Sequence, residues 1–144
     1  MSRNIMINLK NLIVVSLFSG CLLACNTTEN IPRETIIGAW SVDAINDQVL
    51  NQQTSPVIMF NEDMTLSGSA SCNNIASRYR SINNKLVIDS IALTRKMCAP
   101  ELMRQESTFL EYLNKVNSFE FLNGELLLID PRGKLLVKAK RIKQ

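Results

Sequence analysis

Residues 65–79, T-L-S-G-S-A-S-C-N-N-I-A-S-R-Y, decide how the rest of the chain is read. The stretch opens as a strand with period-two alternation. Leu66, Gly68, Ala70 and Cys72 fall on one face, and Thr65, Ser67, Ser69 and Ser71 on the other. Small residues on an inner face let a neighbouring element approach the backbone closely, whereas serines and a threonine suit solvent. A curved strand explains this composition better than contact with a ligand. The alternation breaks at Cys72-Asn73-Asn74 and resumes at Arg78 and Tyr79. The stretch that answers it is Thr94-Arg95-Lys96-Met97-Cys98, which also ends in a cysteine.

Outward from this centre the pattern is mostly β. Trp40, Val42 and Ala44 alternate with Ser41 and Asp43, and Val57 to Phe60 forms a second strand after the polar, turn-rich Asn46 to Ser55. Asn83-Asn84 suits a hairpin between Tyr79 and Leu86-Ile88, because asparagine tolerates left-handed backbone. Asn123-Gly124 is the strongest hairpin signal in the chain. A two-residue loop there pairs Leu122 with Glu125, Phe121 with Leu126 and Phe119 with Leu128, and puts the four apolar residues of the last two pairs on the core face. Asp130-Pro131-Arg132-Gly133 then turns the chain into a last strand, Leu135 to Ile142. One helix is predicted, from Pro100 to about Val116. Proline suits its first position and Glu101 the positive end of its dipole. Leu102, Phe109, Leu110, Leu113 and Val116 line its apolar stripe, and Glu106 falls on the same stripe.

Composition narrows the chemistry. The 144 residues carry a formal charge of +3 and contain no histidine. Ser-His and Cys-His catalysis and imidazole-ligated metal sites are therefore excluded. No nucleophile–base pair is visible, and nothing calls for a cofactor. Residues 1–24 have the basic start and short apolar run of a signal peptide. Leu22-Leu23-Ala24-Cys25 resembles a bacterial lipobox, with Cys25 as the lipidated residue; Phe18-Ser19-Gly20-Cys21 is a second candidate, and a cleaved secretory signal with incidental cysteines the plainer alternative. Several acyl chains on Cys25 would anchor the protein stably where one would not. Residues 25–35 then form a flexible polar tether and 36–143 the globular domain. Removing Arg3 and Lys10 from the 16 basic residues leaves 14 against 13 acidic ones, a balance that gives no reason to expect nucleic acid as a partner.

With Cys21 and Cys25 assigned to leader and anchor, Cys72 and Cys98 remain as an even pair in an oxidising compartment, which favours a disulfide. Two buried thiols are the alternative, and a metal site a remote one. A carboxylate on the inner stripe of the helix needs partners, so Glu106 is expected to pair with Arg95, or else with backbone N–H groups around Asn73. Lys138, Lys140 and Arg141 form a basic cluster that either blunts an edge strand or touches anionic lipid.

Taken together, Gly38-Ala39-Trp40, Gly68, Cys72-Asn73, Tyr79, Thr94 to Cys98, and Glu106 with Phe109-Leu110 resemble the META/HslJ domain family over about residues 36 to 140. The resemblance implies an α+β fold, mainly antiparallel β: a barrel-like sheet with one packed helix, about 100–116. It implies no catalytic residues, and gives Asn73, Thr94, Arg95 and Glu106 structural polar roles. Ser71 and Ser77 stand where the family pattern more often has glycine. Members are typically small envelope proteins, often lipoproteins, linked at family level to heat shock, novobiocin tolerance and virulence. The expected function is a non-enzymatic domain of the bacterial envelope. It would be held on the membrane through Cys25, facing the periplasm from the outer membrane, and would bind an envelope protein or support envelope integrity under stress. A lipocalin-like carrier of a small apolar ligand, or an enzyme inhibitor presenting the Asn73-Asn74 or Asn46 loops, are the alternatives.

Overall fold

The computed structural model describes residues 34–143. The leader, Cys21 and Cys25 lie outside the described residues, as does the tether apart from Glu34 and Thr35.

The strands run in chain order as β1 (Gly38–Ile45), β2 (Gln48–Val49), β3 (Val57–Phe60), β4 (Thr65–Ser69), β5 (Asn74–Ile82), β6 (Lys85–Ile88), β7 (Ala92–Leu93), β8 (Ser118–Leu122), β9 (Glu125–Ile129) and β10 (Leu135–Arg141). Among the described residues the one α-helix, α1 (Pro100–Leu113), lies between β7 and β8, and a 3-10 turn at Gln52–Thr54 precedes β3. Eight strands pair antiparallel in the cycle β1-β3-β4-β5-β6-β8-β9-β10, and β10 returns to β1 to close a barrel. Two short strands stand off this cycle, β2 on β1 and β7 on β5. The barrel-like α+β expectation therefore holds. The short β2 and the 3-10 turn fall in the stretch that sequence alone left as turns.

Closure sets Trp40 opposite Arg141 and Ile45 opposite Val137. A register shift between Val42 and Ala44 on β1, and another between Leu135 and Val137 on β10, let adjacent residues (Ala44 with Ile45, Leu136 with Val137) both turn inward. The Asn123-Gly124 hairpin has the register its turn chemistry predicts, with Phe121 opposite Leu126 and Phe119 opposite Leu128. Asn123 and Gly124 both take positive φ, 53° and 78°.

The inner face of β4 is tight because of Gly68. Its φ is +150°, and a Cβ there would sit 1.9 Å from the Val57 carbonyl oxygen of β3. That backbone cannot yield as a side chain would. Gly68→Ala is expected to cost about 1–3 kcal/mol, read as a lower midpoint in urea. An unchanged midpoint would show that β3 and β4 separate freely.

Helix α1 ends at Leu113, one turn earlier than the apolar stripe suggested. Asn114 N–H still reaches the Leu110 carbonyl at 3.0 Å, but Lys115 and Val116 bond only three residues back, to Tyr112 and Leu113. This tightening frees the chain to enter β8 at Ser118, while Val116 packs on the core from outside the helix. Phe109 and Leu113 are fully buried, so α1 plugs the end of the barrel at which β4 stops and β5 starts. The opposite end is covered by Ile36, which is 6% exposed and joins the core.

Candidate functional site

The chain between β4 and β5 leaves strand geometry at Ser71, whose φ is +87°. The left-handed backbone that glycine would take with least strain is thus taken here by a serine, with its hydroxyl anchored 2.8 Å from Gln105 Nε2 of α1. Ser77, by contrast, lies inside β5 in extended conformation. Its Oγ donates at 2.9 Å to the Asp89 carbonyl beyond β6.

The turn at Ser71 aims Asn73 at the helix. Asn73 N–H donates to Glu106 Oε2 at 2.7 Å, and its side-chain Nδ2 donates to Oε1 at 3.0 Å. Asn73 Oδ1 accepts from Thr94 Oγ1 at 2.8 Å and from Lys96 N–H at 2.7 Å. Thr94 Oγ1 in turn accepts from Asn74 N–H at 3.1 Å. One asparagine, 4% exposed, therefore ties the loop after β4 to α1 on one side and to residues 94–96 on the other. Cys72 and Cys98 complete the junction as a disulfide, with Cα atoms 5.9 Å apart.

Glu106 is buried as its position on the stripe requires, but Arg95 is not its partner. Among the described residues no cation lies within ion-pair distance of Glu106, and Arg95 is exposed. Two donors from Asn73 satisfy the carboxylate instead. The geometric reason is that the loop meets Asn73 through the Thr94 hydroxyl and the Lys96 N–H, and Arg95 between them is exposed.

The basic cluster on β10 also has another role than the sequence suggested. β10 is paired on both sides, to β9 and β1, and so is no edge. Lys140 ion-pairs with Asp43 and lies 3.9 Å from Glu125, and Lys138 lies 3.5 Å from Glu125. The hydrogen bond and charge of Asp43, with that of Glu125, hold the Lys140 ammonium above its ordinary pKa. Arg141 lies 4.3 Å over the Trp40 ring and donates to the carbonyls of Ile37, at 2.9 Å, and Thr35. This latch on the N-terminal segment is invisible in the sequence, because its partners lie more than a hundred residues apart. Each of these three charges has a partner on the barrel wall.

Residues 94–97, in contrast, are all exposed, and Met97 is 87% so. Among the described residues Arg95 and Lys96 make no ion pair, and no three His, Cys, Asp or Glu side chains converge as a metal would need.

A closed eight-stranded antiparallel barrel, plugged by one helix and stapled beside it, is a class of small all-in-one β domain. The META domain family model matches residues 34–142, and the chain belongs to that family. The chain is 29% identical over 99 residues to heat shock protein HslJ of Escherichia coli K12, covering 67% of this chain and 70% of HslJ. A solved NMR structure 26% identical covers 72% of this chain and 88% of its own, with a TM-score of 0.56. Two more distant structures show the fold alone. One is an NMR structure from Burkholderia xenovorans, 16% identical over 74% of this chain and 83% of its own, with a TM-score of 0.59. The other is a crystal structure of a DUF4847 family protein from Bacteroides vulgatus, 17% identical over 74% and 94%, with a TM-score of 0.53.

Proposed function

We propose that this chain is a non-enzymatic, lipid-anchored domain of the bacterial envelope that engages a protein partner through the loop Thr94–Cys98, in a stress-related role like that named for HslJ. One observation carries the reading. A loop that buries none of its residues 94–97 is nevertheless fixed by a disulfide and by both bonds to Asn73 Oδ1. Ordering an exposed loop opposes folding entropically, and core packing gives no return for it. The return comes on binding, where a loop already ordered loses less freedom. Met97 supplies a flexible apolar knob beside Arg95 and Lys96, which make no ion pair among the described residues, and this suits an acidic surface with an apolar pocket.

The carrier alternative is less well supported, because Trp40, Phe60, Phe109, Leu126 and Leu128 fill the barrel and are each buried to within 1%. For partner binding, a photo-crosslinking residue at position 97 should give a discrete adduct in cells that fades with Arg95→Glu/Lys96→Glu. The same residue at position 122, at the other end of the barrel, should give none. Equal labelling from both positions would overturn the loop assignment. For the anchor, Cys25→Ser should move the protein from the membrane fraction to the soluble one or leave its leader uncleaved. A processed Cys25→Ser form that still sediments with membranes would mean that Cys25 carries no lipid.

A further inference from the structure

The end of the barrel away from α1 is closed unevenly. The segment Glu34–Ile37 crosses it, pinned by Arg141 and by the Trp40 indole N–H, which donates to the Ile36 carbonyl at 2.7 Å. Arg141 lies close against Gly38, where a Cβ would sit 2.5 Å from the guanidinium and displace it. β8 continues to Leu122 although its pairing with β6 stops at Lys85 opposite Ser118, so the wall opens beside this segment. There lies an open cleft of about 330 Å³, within the small end of the range for ligand pockets.

Its lining is mixed: Ile36, Ile37, Met64, Tyr79 and Phe119 give an apolar side, and Thr35, Ser81 and Asn83 a polar one. Met64 is held over it at a left-handed φ of 65° and is 54% exposed, and the Tyr79 hydroxyl already donates to the Asn61 carbonyl at 2.8 Å. Among the described residues, the charged side chains lining the cleft are Glu34 and Glu62, with no lysine or arginine. Arg141 holds the segment, but its charge is directed at two carbonyls and the Trp40 ring. A second cleft, of about 220 Å³ near β2, has both Asp47 and Lys138 and so no single sign.

We propose that the cleft beneath Glu34–Ile37 binds a small amphipathic cation, its apolar body against Ile36, Met64 and Phe119 and its ammonium or guanidinium group toward Glu34 and Glu62. An apolar surface alone would accept any greasy molecule; the two carboxylates favour a positive head and repel a negative one. The site is independent of the loop at the α1 end, so either can fail without the other.

Trp40, the only tryptophan in the chain, lies directly under the segment and reports on it by fluorescence. The full chain is titrated below micellar concentrations with n-octylammonium, n-octanol and octanoate. Octylammonium should perturb Trp40 saturably and bind about fivefold tighter than octanol, with octanoate weakest, and the gap should narrow as salt is added. Glu34→Gln/Glu62→Gln should bring octylammonium to the affinity of octanol without changing the melting temperature. Equal affinity for the three probes, no saturable response to any of them, or an unchanged preference in the double variant would each overturn the proposal.

Discussion

Glu106→Ala should lower the stability of the domain by about 3 kcal/mol or more, a fall in melting temperature on the order of 15 °C. The substitution removes the acceptor for both the backbone N–H and the Nδ2 of Asn73, and a buried donor left without a partner costs about 1–3 kcal/mol. It also releases the helix from the loop after β4. Two comparisons isolate the cause in thermal melts of purified protein. Glu111→Ala removes an exposed carboxylate 2.6 Å from Lys115 and should shift the midpoint by no more than about 2 °C. Arg95→Ala should be as mild. A loss at Arg95 equal to that at Glu106 would mean that the guanidinium balances the carboxylate after all.

The second large effect belongs to the disulfide. Cys72→Ser/Cys98→Ser opens a loop spanning 26 positions, and on the chain-entropy view this costs roughly 3 kcal/mol. Amide exchange should quicken first at residues 94–98, because only hydrogen bonds to Asn73 and Asn74 then hold that loop. Combining the double serine variant with Glu106→Ala should cost less than the two losses added, since all three residues fix one junction. Strict additivity would show that disulfide and carboxylate stabilise separate parts of the molecule.

Local chemistry made much of the fold legible. Asn123-Gly124 permits essentially one tight turn, and that turn sets every pair from Leu122–Glu125 to Phe119–Leu128. The 3.6-residue period likewise placed Glu106 indoors with Phe109 and Leu113. What the period could not give was its partner. Charge favoured Arg95, yet the alternative, a backbone N–H at Asn73, is what the structure has, joined by the Asn73 side chain, and this depends on a left-handed residue at Ser71 that no periodicity encodes. The basic residues of β10 were misread for a related reason. They look like protection for an edge until β1, about a hundred residues earlier, is known to lie alongside. Non-local pairing leaves little trace in either strand. The cleft at Glu34 and Glu62 was not legible either, being assembled from four separate segments.

The seam between β1 and β10 bears on the order in which the molecule can be made. Trp40 faces Arg141, so the first barrel strand waits for the last before it has a neighbour on that side. A chain still emerging, or cut before Leu135, keeps β1 and β9 as two open edges, and Trp40 lacks the guanidinium that covers its ring. The unfinished protein is therefore both unable to close and prone to pair with other chains. Completion of the final seven-residue strand removes both conditions at once.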